Sequence, residues 1–183
     1  MSRKYIDIGI LIGGAAVILW QWNRIQYWIN LPIKYLTDRL NSDYIAELHP
    51  KYKATFAAFI KDIEQLGYDV TITSGYRSFQ RSAELDKKNP LNADAGLSTH
   101  NYGLATDIIL YKDNKWWRKA TSKADWIKTG VPELAKKHGL FWGGDFKSYH
   151  DPVHFNVMGI DTEKLLAKYN KDKTVEPNKI SLT

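Results

Sequence analysis

At 183 residues the chain is long enough for one core of ordinary size plus an appendage, and 44% hydrophobic with 25% charged content excludes a disordered polymer. The absence of cysteine excludes a disulfide framework and thiolate metal sites, so a transition metal would have to rest on His, Asp or Glu, with five histidines to choose from. A formal net charge of +6 favours an anionic partner such as phospholipid or an acidic wall polymer; no basic helix interleaved with stacking aromatics is present, which sets nucleic acid aside.

Arg3 and Lys4 precede an uncharged apolar run from Ile8 to Trp20. Residues 5–22 approach the length of a bilayer span, with Trp20, Trp22, Tyr27 and Trp28 clustered at the far end as interfacial aromatics are. Residues 1–23 are therefore predicted to form a transmembrane anchor, its positive amino end cytoplasmic and the bulk of the chain on the wall side; the membrane of a virion is the alternative host. Gly9 and Gly13 have the spacing that lets two such helices pack against each other. Residues 24–41 read as a juxtamembrane amphipathic segment, with Ile25, Trp28, Ile29, Leu36 and Leu40 at roughly helical spacing around Pro32.

A soluble domain is predicted over residues 42–170. Tyr52, Phe56, Phe59, Ile60, Ile63 and Leu66 form one helical stripe between Pro50 and the stop at Gly67. Asp69 to Thr73 reads as a strand, Ser74-Gly75 as a turn, and Ser78 as the cap of a helix reaching Lys88. Asn89 to Ser98 is loop and Leu104 to Tyr111 a strand, with Trp116 and Trp117 in a polar connection. A helix follows from Ser122 or Lys123 to His138, interruptible at Gly130-Val131-Pro132 and capped by Gly139. Phe141 to Asp145 is a tight loop, His154 to Met158 a strand, and Asp161 or Thr162 opens a last helix. Residues 171–183 are predicted to be a flexible, basic tail. The class is α+β with a small sheet and no hairpin-length gaps between strands.

Two stretches carry chemistry. In the first, Ser98 to Asp107, His100 is followed seven residues later by a carboxylate at the mouth of the apolar run Ile108-Ile109-Leu110. In the second, Asp151 stands three residues before His154, which opens the run beginning at Phe155. Two imidazoles and one carboxylate make a three-ligand zinc site with one position left for water, and the remaining carboxylate is then free to act on that water. A carboxylate leading into a buried strand needs a partner, which for Asp107 would be zinc or an arginine. Asp151, held outside its strand by Pro152, can turn towards the metal without ligating it and serve as general base. Arg77, on the turn Ser74 to Ser78, can present its planar fork to a substrate carboxylate or oxyanion. Tyr102 and Trp142 can line the substrate groove or fill the core. His150 reads as a neighbour of the site, His138 as a helix-terminal histidine, and His49 receives no role.

Taken together, Ser74-Gly75-Tyr76-Arg77-Ser78, Gly96 to Asp107, Phe141-Trp142-Gly143-Gly144-Asp145 and Asp151-Pro152-Val153-His154-Phe155 resemble the VanY-like zinc peptidases, in that family's order. These include D-alanyl-D-alanine carboxypeptidases and the L-alanyl-D-glutamate endopeptidases of phage endolysins. The resemblance implies an α+β fold, a small antiparallel sheet flanked by helices as in the hedgehog and DD-peptidase domains. It implies a single Zn2+ on His100, Asp107 and His154, with Asp151 as general base and Arg77 as a substrate or oxyanion contact. Ser98 corresponds to a family serine near the metal, and Tyr102 stands where many members have tryptophan. The expectation is a membrane-anchored peptidase acting on peptidoglycan stem peptides, first as an L-alanyl-D-glutamate endopeptidase and second as a D-alanyl-D-alanine carboxypeptidase. A wall-binding or virion structural protein that keeps the fold without turnover is the alternative of another class.

Overall fold

The computed structural model describes residues 34–88 and 93–183. The predicted anchor, with Gly9 and Gly13, and most of the juxtamembrane segment lie outside the described residues. Among the described residues no helix is long and apolar enough to cross a membrane. The chain divides into two units at Arg39 and Leu40. Of the first, residues 34–39 are described; they are helical, and Lys34 pairs with Asp38 at 3.0 Å across one turn.

The second unit is α+β, as the alternation of helical stripes and β-branched runs predicts. It opens with helical residues 40–46 (α1). The first complete helix is Lys53–Gln65 (α2), whose stripe Phe56, Phe59, Ile60 and Ile63 is buried. Gly67, at φ 84°, supplies the left-handed turn that lets the chain leave α2 for strand Asp69–Ser74 (β1). Helix Phe79–Lys88 (α3) follows, then a short 3-10 helix Thr99–Tyr102 and strand Ala105–Lys112 (β2). Strand Lys115–Trp117 (β3), helices Lys123–Ile127 (α4) and Val131–Lys137 (α5), strands Leu140–Trp142 (β4) and His154–Val157 (β5), and helix Thr162–Lys171 (α6) complete the order.

The sheet runs β1-β2-β5-β4, with β3 paired to β2, and every pairing is antiparallel. Alternation sets its faces. Val70, Ile72, Ile108, Leu110, Phe155 and Val157 point into a core closed by α2, α4 and α5. Phe155 is fully buried in it, its ring centroid 5.1 Å from that of Phe59 and 6.3 Å from that of Trp126. The outer edge of β1 is covered from α1, where Asn41 donates to the Val70 carbonyl and accepts from the Ile72 amide, both at 2.8 Å.

Three expectations need correction. The polar connection at Trp116 and Trp117 is strand β3, joined to β2 by a hairpin. Its two turn residues, Asp113 and Asn114, both take positive φ, 49° and 61°, as a two-residue turn of matching twist requires. Phe141 and Trp142 belong to β4 rather than to a loop. The carboxyl-terminal segment is anchored rather than free. Ile180 is buried, its carbonyl accepts from His49 Nε2 at 2.9 Å, and Asn178 donates to the Glu47 carbonyl at 2.7 Å. That contact gives His49 its role, and His138 likewise ties α5 to α2 through Asp62 at 2.9 Å. The helix between Ser122 and His138 is two, parted at Gly130, where φ is 76°.

Candidate metal centre

The register of β2 against β5 pairs Asp107 directly with His154. Two sequence-distant donors thus become cross-strand neighbours in the middle of the sheet. The third arrives from the 3-10 turn before β2. Ser98 caps that turn by accepting from the His100 amide at 3.3 Å, and Asn101 closes it by accepting from the Ser98 amide at 3.3 Å. Gly103, at φ 63°, ends the turn and packs so tightly that an added Cβ would lie 2.6 Å from the His49 nitrogen. His100 is delivered to one place by this double constraint.

The donor atoms converge. His100 Nε2 lies 3.2 Å from Asp107 Oδ1 and 3.2 Å from His154 Nδ1, and His154 Nδ1 lies 3.0 Å from Asp107 Oδ1. Among the described residues this is the one group of three such side chains that could hold a metal ion. The chemistry of the donor set fits zinc. Ligand atoms about 2.0–2.1 Å from a tetrahedral ion stand about 3.3 Å from each other, close to the observed triangle. His100 Nδ1 meets the Gly75 carbonyl at 2.7 Å, so that nitrogen carries the proton and, in neutral imidazole, Nε2 presents a lone pair. Two nitrogens and a carboxylate oxygen crowded at 3 Å then need a shared cation between them.

Burial alone would raise the Asp107 carboxyl, but His100 first and His154 next outweigh it and hold it well below the usual carboxylate range. Asp107 is therefore an anion at neutral pH. Its second oxygen lies 3.7 Å from Arg77 Nη2, a longer contact than those to the histidines. Arg77 is fixed on both backbone sides, its amide donating to the His100 carbonyl at 3.0 Å and its carbonyl accepting from Asn101 Nδ2 at 2.8 Å. Its Nη2 also donates to Ser74 Oγ at 3.0 Å. The structure thus brings Arg77 to the triad, while Ser98 acts through the cap that holds the turn bearing His100.

Asp151 leads into β5 as expected. Its carbonyl accepts from the His154 amide at 3.1 Å, and its own amide donates to the Gly143 carbonyl at 3.3 Å. Gly143 is required there, since an added Cβ would lie 2.5 Å from the Asp151 oxygen and 2.9 Å from His154 Cβ. Asp151 Oδ1 is buried and makes no hydrogen bond, although Lys119 Nζ lies 3.4 Å away. A buried carboxylate oxygen without a hydrogen bond is costly unless it serves something else. His150 turns aside to the Thr121 carbonyl at 3.3 Å, consistent with its reading as a neighbour.

Tyr102 and Trp142 are not groove walls. Tyr102 is 0% exposed and Trp142 2% exposed. The Tyr102 hydroxyl donates to the Gly96 carbonyl at 2.8 Å, and the Trp142 indole donates to the Pro152 carbonyl at 2.7 Å. Trp142 therefore positions the segment that carries Asp151 rather than touching a substrate. Burial, and then the nearby Tyr169 phenol, push Tyr102 up to about 12. A raised phenol favours the folded state below its unfolded value near 10, and that contribution is lost as pH climbs towards 12. Tyr102→Phe is expected to lose about 1 kcal/mol at pH 7 from the missing hydrogen bond, yet to flatten the fall in stability between pH 10 and 12. Denaturant titrations across that range check it.

Sequence reasoning missed Tyr149. It is 43% exposed and stacks on Phe146 at 4.8 Å, while Phe146 in turn lies 5.7 Å from the His154 ring. Burial first, then the charges of Asp151 and Asp107, raise its phenol. Through Phe146, Tyr149 is joined to the His154 side of the centre. An aromatic four residues after Asp145 was the only available signal.

The comparisons with known proteins bear on this site. Residues 92–157 match a family model described as D-alanyl-D-alanine carboxypeptidase, and that span holds His100, Asp107, Asp151 and His154. The peptidoglycan L-alanyl-D-glutamate endopeptidase CwlK of Bacillus subtilis (strain 168) is 35% identical over 127 residues, covering 62% of this chain and 75% of that protein. Among solved structures, the Serratia marcescens L-Ala D-Glu endopeptidase ChiX aligns at 18% identity and a TM-score of 0.46, over 65% of this chain and 86% of its own. The vancomycin-resistance D,D-pentapeptidase VanY, solved with Zn(II), aligns at 16% identity and a TM-score of 0.49, over 69% of this chain and 79% of its own. One-third identity across three-quarters of the Bacillus protein decides the affiliation: the chain belongs to the VanY-like family of zinc-dependent peptidases, which hydrolyse peptidoglycan.

Proposed function

We propose that this peptidase cleaves the L-alanyl-D-glutamate bond of peptidoglycan stem peptides, using one zinc ion held by His100, Asp107 and His154. The observation that carries the reading is the triangle of donor atoms 3.0–3.2 Å apart with the buried, hydrogen-bond-free oxygen of Asp151 leading into the same strand. When bound, zinc supplies Lewis-acid polarisation of a carbonyl and lowers the pKa of water. Asp151 takes a proton from the attacking water and returns it to the departing amine. Arg77, rigid through both of its backbone bonds, offers its guanidinium to charge that builds on the carbonyl oxygen. Tyr149 provides an aromatic flank to the substrate. A module that only bound wall material would have no use for a buried carboxylate oxygen that makes no hydrogen bond and has only the exposed Lys119 for an ion-pair partner, which weighs against a non-catalytic role.

The choice of bond is supported by the Bacillus relative, named for the L-alanyl-D-glutamate bond. D-alanyl-D-alanine carboxypeptidase action is the second reading, favoured by the description of the matching family model. Digestion of defined muropeptides followed by mass spectrometry separates them. The endopeptidase releases the peptide from D-Glu onward, whereas the carboxypeptidase releases only a terminal D-Ala. Residues 5–22, by their sequence, support a bilayer anchor that would hold the domain on the wall side, with Gly9 and Gly13 as a helix-pairing face. Membrane fractionation of the full chain against a chain starting at residue 34 tests that placement.

A further inference from the structure

Beside the metal centre a cleft of roughly 500 Å³ opens, within the size range of small-ligand sites. Its walls include Tyr44, Ser74, Tyr76, Arg77, Ser78 and Arg81, and none of its described lining residues is acidic. Arg77 therefore faces two ways: it lines this cleft and also lies 3.7 Å from Asp107. Arg81 comes from the first turn of α3. Ser78 Oγ accepts its amide at 3.1 Å, which seats the guanidinium-bearing residue at the cleft wall. One of its terminal nitrogens, Nη1, is spent on Glu84 at 3.1 Å, an exposed pair of small worth. A guanidinium has five donors, so others remain for a ligand. Two arginines with serine and tyrosine hydroxyls around a concave space are the donors that a planar carboxylate takes up.

The substrate class supplies such a group. A glutamate inside a peptide has two carboxyls; one continues the chain through the next amide, and the other stays free unless it is amidated. We propose that the cleft is a carboxylate subsite in which Arg81, together with Arg77, reads the free carboxylate of the glutamate beside the scissile bond, which makes Arg81 a specificity-determining residue. This rests on the endopeptidase reading above. It extends that reading from which bond is cut to which chemical form of the wall is cut.

The test compares two synthetic stem peptides that differ only at that position, the free acid and the carboxamide, with the parent protein and with Arg81→Gln. The parent is expected to favour the acid by about 10- to 100-fold in kcat/KM, carried by KM, as loss of a charged hydrogen bond implies. In Arg81→Gln the ratio of acid to amide should collapse towards one, with zinc content and melting temperature unchanged. Arg81→Lys should restore part of the ratio. A parent that does not distinguish the two peptides, or a variant that keeps the parent's ratio, overturns the proposal. Calorimetric binding of the same two peptides separates this from failure of the endopeptidase reading. Should neither peptide be cut, tighter binding of the acid by the parent but not by Arg81→Gln still supports the subsite, and equal binding by the parent refutes it.

Discussion

Asp151→Asn is expected to lower kcat/KM on a defined wall peptide by about 10³-fold, ~4 kcal/mol of transition-state stabilisation, while leaving zinc content unchanged. The asparagine keeps the shape of the side chain and the backbone bonds to Gly143 and His154, so the start of β5 stays in place. What is lost is the capacity to accept a proton at the buried Oδ1, which makes no hydrogen bond in the folded chain. Asp151 is outside the donor triangle, so its replacement should not disturb metal affinity. Steady-state kinetics and metal analysis on the same preparation check both halves. A variant that cleaves as fast as the parent removes Asp151 from the mechanism; one that loses zinc along with activity makes it a ligand.

The complementary result concerns the triangle. Removing zinc with a chelator is expected to abolish hydrolysis, with recovery on adding Zn2+ back. At zinc 100-fold above its dissociation constant the ion would contribute about 2.7 kcal/mol to stability, and a domain of this size should then melt about 10 °C higher with metal than without. His154→Ala should lose both the hydrolysis and this zinc-dependent rise, whereas Asp151→Asn should lose only the hydrolysis. Calorimetric melts of the three proteins with and without zinc carry the comparison. The physical reason is the position of Asp107. It is a half-buried anion held by two imidazoles, and removing His154 leaves that charge with one close partner instead of two while taking away a donor. A metal-induced rise that survives in His154→Ala would place the ion elsewhere.

The reacting groups were legible because each stands at a boundary. His100, Asp107, Asp151 and His154 sit where polar loop meets apolar strand, and Arg77 sits on a glycine turn. Pattern alone marks such places, since a charged group there must find a partner. Family resemblance in the same blocks then assigned roles that spacing left open between the two aspartates. Tyr102 and Trp142 were misplaced because an aromatic ring with one polar tip suits a core and a groove equally well. Only the partner of the tip, the Gly96 carbonyl for one and the Pro152 carbonyl for the other, distinguishes them. Anchoring of the last residues was invisible for a different reason. It depends on His49 and Glu47 reaching Ile180 and Asn178 across 131 positions, and no local signal encodes a contact of that range. The β2–β3 hairpin could have been found, since a two-residue Asp-Asn turn between apolar runs is a known signature.

The pairing of Asp107 with His154 has a temporal side. The two residues are separated by 47 positions and meet only through the β2–β5 ladder, which forms from the middle and the end of the chain. A nascent chain that has made β1, β2 and the turn bearing His100 still lacks one corner of the triangle. Hydrolytic power therefore cannot precede completion of the sheet, and a half-made copy is harmless to the wall that the finished enzyme cuts.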